Sequence, residues 1–169
     1  RGKARADGSD VWHLLEGAAQ SHKNVVRSTY GAELFAVTAA ADQTIPLLVT
    51  FEEFTRGPLN LSEAKRLREE GGWCFRSLLA TDSMSLFQSL TTMKLKLPSE
   101  KSVALHLMWL RDLLQKQILS GIRWVDTRDM SADGHTKGSI QRDTLLQLMS
   151  GYFKYVHPVQ DSNFRKDQL

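Results

Sequence analysis

Leu34, Val37, Ala41, Ile45 and Leu48 recur at helical spacing, and Phe51 and Phe54 extend the same stripe. Ser28 or Thr29 offers an N-cap for this helix, and Glu33 falls in its expected first turn, where a negative charge suits the helix dipole. Pro46 should kink or divide it, and Gly57-Pro58 should end it. A second amphipathic piece, LSEAKRLREE over 61–70, starts from a Ser62 cap and stops at Gly71-Gly72. Val103, Leu107, Leu110, Leu114 and Ile118 mark the buried stripe of a third long helix, opened by Pro98 and closed by Gly121.

Between the helices the period changes. Trp73–Thr81 is a β-type run leading to Asp82, after which Ser83–Leu90 resumes helical spacing. IRWVDT over 122–127 reads as a strand of a parallel sheet, 140–149 as a helix, and YFKYV over 152–156 as an edge strand. Near the start, Val11–Leu15 and Lys23–Arg27 have strand character and flank a polar segment, giving one bulged strand or a loose hairpin. Strands alternating with crossover helices imply an α/β fold whose strands run parallel, with helices covering the sheet.

The chain has 169 residues, 41% hydrophobic and 24% charged, which is the composition of one globular domain rather than a disordered chain. Residues 1–10 read as a disordered leader and 157–169 as a C-terminal tail, leaving a domain over 11–156. The formal charge of +3 permits contact with nucleic acid without demanding it. A lone cysteine, Cys74, excludes an internal disulfide and a cysteine-based zinc site, and reads as an apolar filler in a strand. No stretch approaches the roughly 18 uninterrupted apolar residues of a membrane span. The N-terminus lacks the apolar core of a signal peptide. The expectation is a soluble intracellular protein, cytoplasmic or nuclear, with no membrane partner; the absence of an initiator Met suggests a piece of something longer.

Three segments carry the candidate chemistry: RSTYGAEL (27–34), LATDSMSL (79–86) and MSADGHTK (130–137). Asp82 stands where a strand gives way to a helix, the end at which open α/β sheets bind ligands. Asp133 follows the next predicted strand by a few residues, and Glu33 lies on a helix packed on the same sheet. Acids gathered in this way repel one another unless a cation joins them, and hard oxygen ligands select magnesium or manganese. Two such ions about 4 Å apart activate a water and stabilise the leaving oxygen of a phosphodiester.

The same three segments resemble the ribonuclease H domain of copia-type retrotransposon polyproteins. RSTYGAEL is similar to that family's Ser-Thr-x-x-Ala-Glu helix start, ATDS to its Thr-Asp-Ser at the end of the fourth strand, and IRWVDTRDMSADGHTK to the stretch around its last acid. The resemblance covers roughly residues 11–150 and implies a ribonuclease H-like mixed sheet with flanking helices. It implies catalytic, metal-holding roles for Glu33, Asp82 and Asp133, with two Mg2+ ions (or Mn2+) as cofactors. The implied reaction is endonucleolytic hydrolysis of the RNA strand of RNA–DNA hybrids, beside the reverse transcriptase of the parent polyprotein.

The pattern breaks in one place. The family carries a fourth acid, an Asp on its first strand, whereas Asp7 and Asp10 lie in a polar segment with no strand around them. The expectation is an N-terminally truncated domain, its first two strands missing and its hydrolase activity impaired. The alternative is a catalytically dead structural or nucleic-acid-binding remnant of the same fold. Lys23, Arg27, Arg123, Arg128 and Lys137 form a candidate phosphate track, since backbone contacts come mainly from Arg and Lys. His135, two residues beyond Asp133, is a candidate to touch a scissile phosphate or help product leave, the alternative being a surface histidine at a helix start. Asp126 and Asp129 read as loop acids, and the tryptophans as core.

Overall fold

Helix α1 spans Thr29–Arg56, and it is the beam on which the larger part of the structure rests. The computed structural model describes residues 10–12, 14–15, 28–93, 98–131 and 143–162. Ser28, in extended conformation, caps α1 by accepting the Gly31 N–H at 3.2 Å. The first turn contains no acid, so Glu33 does not support the dipole as expected; it lies a turn further in. Pro46 does not divide the helix. It stands on the exposed side, where water can satisfy the carbonyl that loses its partner, while Leu34, Val37, Ala41 and Leu48 keep one continuous buried stripe.

By length and composition α1 could cross a bilayer, contrary to the expectation that no stretch comes close. A mostly buried core helix passes the same test, whereas 28% of the most apolar window of α1 is buried, on an inner face that reaches the fully buried carboxylate of Glu52.

Helix α2 (Leu61–Glu70) is capped by Asn60 rather than Ser62. Asn60 accepts the Glu63 N–H at 2.9 Å while Glu63 reaches back to the Asn60 N–H, a complete capping box; Ser62 instead donates to Asn60 Oδ1. Strand β2 follows over Leu78–Thr81, then α3 (Met84–Thr91), α4 (Lys101–Gln115) and β3 (Gly121–Val125). The β2–α3–α4–β3 crossover makes the two strands parallel, with Leu78 opposite Gly121 and Thr81 opposite Trp124. Helix α1 packs on β2, α3 and α4, and the core gathers Leu34, Leu79, Leu86, Leu90, Leu107, Leu110 and Ile122.

Two devices fix these helices. Arg111, nearly buried in α4, donates from Nη1 to the carbonyls of Ser89 (2.9 Å) and Thr92 (2.7 Å), closing the carboxyl end of α3 where the dipole favours a cation. Helix α4 ends at Gln115, before the expected Gly121, which opens β3 instead. The Ile118 N–H bonds the Leu113 carbonyl and the Gln117 N–H bonds that of Leu114, and Gln117 takes φ +56° where glycine is usual.

The segment read as a tail carries strand β5 (Val159–Ser162), which joins β3 in an open sheet of order β2-β3-β5. A bidentate pair from Arg123 to Asp161, at 2.5 and 2.7 Å, fastens it. The fold is mixed α/β, with five α-helices among the described residues and a three-stranded mixed sheet.

The chain divides into two compact units. The larger, Val26–Trp124 with Gln160–Leu169, contains the elements from α1 to β3. The smaller, Arg1–Val25 with Val125–Val159, contains β1 (Asp10–Val11), the 3-10 turn Thr127–Asp129, α5 (Asp143–Met149) and β4 (Tyr152–Phe153). Strands β1 and β4 pair antiparallel, and both are shorter than the runs over 11–15 and 152–156 suggested. Trp12 stands edge-on to Phe153 and Tyr155 in a three-ring cluster. In the larger unit, Trp109 and Trp124 pack against the core as expected.

Candidate functional site

Asp82 stands directly after β2, beyond the buried Thr81 and before Ser83, the N-cap of α3. Its backbone is held from both sides. The Trp124 indole Nε1 donates to the Asp82 carbonyl at 3.0 Å, and the Ser83 N–H donates to Thr81 Oγ1 at 3.2 Å. Ser83 Oγ in turn accepts the Leu86 N–H, starting the helix at once. The half-buried carboxylate therefore sits at the carboxyl end of a parallel strand, where α/β sheets present ligand-binding groups.

Glu33, also half-buried, lies beside the fully buried Leu34 on the stretch of α1 whose inner face enters the core. Helix α1, which carries Glu33, packs on β2, the strand that Asp82 follows. Asp133 lies outside the described residues, as do His135, Lys137, Lys23 and Arg27. Among the described residues no group of three or more His, Cys, Asp or Glu is arranged to hold a metal ion. Glu33 and Asp82 are the hard carboxylate donors that magnesium or manganese takes.

Two arginines of the expected phosphate track, Arg123 and Arg128, are engaged by acids of their own chain. Exposed Arg128 grips Asp126 through Nε and Nη2, both at 2.8 Å, and its N–H donates to Asp126 Oδ1 at 3.0 Å. That guanidinium, then the backbone N–H, hold the Asp126 carboxyl far below the usual carboxylate range. A phosphate would have to displace Asp126 to take the Nε–Nη2 edge of Arg128. Arg123 is likewise fastened to Asp161.

Two polar clusters were not visible in the sequence. Asp129, expected to be a loop acid, is 3% exposed. It accepts the His157 N–H at 2.7 Å and lies 3.0 Å from His157 Nδ1. If Nδ1 carries the ring proton, Nε2 is left as the acceptor of the imidazole. The partners are 28 residues apart, and His157 fell in the segment read as a tail.

The second cluster surrounds Glu52. Its Oε2 accepts the Cys74 N–H at 2.6 Å, and Arg56 Nη1 stands 2.8 Å from Oε1, close enough for an ion pair but without hydrogen-bond geometry. Burial by itself would raise this carboxyl; the Cys74 backbone and thiol hydrogen bonds, with the charges of Arg56 and Arg66, outweigh it and hold the pKa below its ordinary value. Cys74 lies in a bend before β2, not in a strand. Burial and the Glu52 carboxylate push its thiol up, so it stays protonated and is a poor nucleophile.

No protein-family model matches the chain, and neither a curated protein nor a solved structure is significantly similar to it.

Proposed function

We propose that the chain is part of a ribonuclease H-like endonuclease of a retrotransposon polyprotein, acting on the RNA strand of RNA–DNA hybrids beside a reverse transcriptase in the cytoplasm or nucleus. The observation that carries this reading is the β2–Asp82–α3 junction at the end of the parallel β2–β3 pair, with the Glu33-bearing helix packed on β2. Glu33, Asp82 and Asp133 would hold two Mg2+ or Mn2+ ions. When bound, such ions supply a water of lowered pKa and neutralise charge on the leaving 3′-oxygen. The chain's own contribution is placement. The Trp124 and Ser83 hydrogen bonds fix the backbone around Asp82, and the α1 packing fixes the helix that carries Glu33.

The sheet order supports impaired activity. Among the described residues β2 pairs only with β3, on one of its two edges. A strand bearing a further carboxylate, supplied at the other edge, would complete the acid set. The second reading, a structural remnant without turnover, is favoured by Arg123 and Arg128 closing onto carboxylates of their own chain.

Incubation with a labelled RNA–DNA hybrid and Mg2+ separates the readings. The expected result is slow, metal-dependent cleavage of the RNA strand that Asp82→Asn eliminates. Equal cleavage by Asp82→Asn overturns the site assignment, and no cleavage by either protein selects the remnant.

A further inference from the structure

Asp82 lies one residue past the last rung of the β2–β3 ladder, the Thr81–Trp124 pair. The ladder therefore no longer sets the plane of the peptide group that follows Asp82. Two side chains take over. Trp124 Nε1 donates to the Asp82 carbonyl at 3.0 Å, and the Ser83 N–H donates to Thr81 Oγ1 at 3.2 Å. These are the two polar ends of one peptide group, Asp82–Ser83. The group is planar and trans, so its carbonyl and N–H point in opposite directions, and holding both stops the plane from turning. The carbonyl carbon shares its Cα with the side chain. Fixing the plane therefore fixes the direction in which the Asp82 Cβ leaves the backbone.

Packing alone does not call for these two residue types. Thr81 is 1% exposed, and valine would fill that strand position with no hydroxyl to satisfy. Trp124 packs half-buried against the core, a place any large apolar side chain can take. What a threonine and a tryptophan add is one acceptor and one donor, and both are spent on the same peptide group.

We propose that Trp124 and Thr81 are positioning residues for Asp82, setting its carboxylate for a hard divalent cation. The inference rests on the metal site of the proposed function and adds to it two uncharged residues. Without either bond the plane turns more freely, and part of the cation's binding free energy goes into ordering it. A single hydrogen bond of this kind shifts an equilibrium about five- to tenfold, and a loss of cation affinity of that size is expected for each.

Mn2+ affinity, read by electron paramagnetic resonance on chains shown to be folded by circular dichroism, tests it in three variants. Trp124→Phe keeps a ring in place without the N–H, and Thr81→Val keeps the volume without Oγ1. Trp109→Phe is the control, because Trp109 packs half-buried on the same core from α4 and takes no part in holding the Asp82–Ser83 peptide. The expected result is wild-type affinity in Trp109→Phe and binding weakened by the stated factor in the other two. Unchanged affinity in Trp124→Phe and Thr81→Val overturns the positioning role and leaves the metal site standing. Equal weakening in Trp109→Phe assigns the effect to lost packing and overturns it as well. A wild-type chain that binds no Mn2+ removes the metal site, and this inference with it. A measurement on the wild type covers the case of a variant that does not fold. In the 15N-labelled chain, Mg2+ is expected to shift the Trp124 indole N–H resonance and leave that of Trp109 in place. A Trp124 resonance unmoved by saturating Mg2+ overturns the proposal.

Discussion

Replacing Gly71 by alanine is expected to lower the unfolding free energy by about 3–4 kcal/mol, a large part of the stability of a domain this size. Gly71 ends α2 with φ +72° and ψ −153°, a conformation open essentially only to glycine. A Cβ there would stand 2.6 Å from the Gln117 carbonyl oxygen and 2.8 Å from its carbon. Both atoms are backbone in the turn that closes α4, pinned by the Gln117 and Ile118 N–H bonds, so they cannot swing away as a side-chain tip would. Gly72 is the internal control. Its φ of +92° is equally unsuited to a side chain, but a Cβ meets nothing within 4 Å. Gly72→Ala should therefore cost only the backbone strain, about 1–2 kcal/mol. Urea unfolding of the two variants checks the difference; equal losses would mean that the approach of α2 to the α4 turn is not tight.

Removing the Glu52 carboxylate is the second large effect, about 3 kcal/mol for Glu52→Ala at pH 7. The alanine leaves the Cys74 N–H without its acceptor and Arg56 without its carboxylate, and opens a void beneath α1. Glu52→Gln keeps the shape and one acceptor oxygen, so it should cost less. The pH dependence follows from the sign of the shift. The folded-state pKa lies below the ordinary value of 4.5, so the native state favours the ionised form. That stabilisation is fully present above about pH 4.5 and is lost as pH falls through the depressed folded-state value. Urea midpoints of wild type and Glu52→Gln should therefore converge on going from pH 7 to pH 3. A gap that stays constant would show that the charge of Glu52 contributes nothing and that only its shape matters.

Much of the framework was legible in the chain because it rests on local rules. The 3.6-residue stripe of α1, the Ser28 cap, the crossover between β2 and β3 and the placement of Asp82 at a strand end all follow from spacing and turn chemistry. What failed to show was set by tertiary context. Pro46 reads as a break, yet the apolar stripe continues on both sides of it and the proline faces water. Glu63 tied itself to Asn60, moving the α2 cap two residues ahead of Ser62. Gln117 carries no mark of a left-handed residue; the pull of Ile118 and Leu119 into the core imposes it. The Glu52–Cys74 and Asp129–His157 contacts join residues 22 and 28 positions apart, and no periodicity encodes such pairs. The candidate site divides in the same way. Asp82 and the helix of Glu33 come together through the crossover and the α1 stripe, whereas Asp133 lies outside the described residues.

The central claim of the proposed function is that Glu33 and Asp82, with Asp133, would hold hard divalent cations. Electron paramagnetic resonance of Mn2+ titrated into the chain tests it most directly. The account predicts a bound-manganese population that Mg2+ displaces and that Glu33→Gln and Asp82→Asn each remove. Manganese bound equally well by wild type and both variants would contradict it, as would no binding at all.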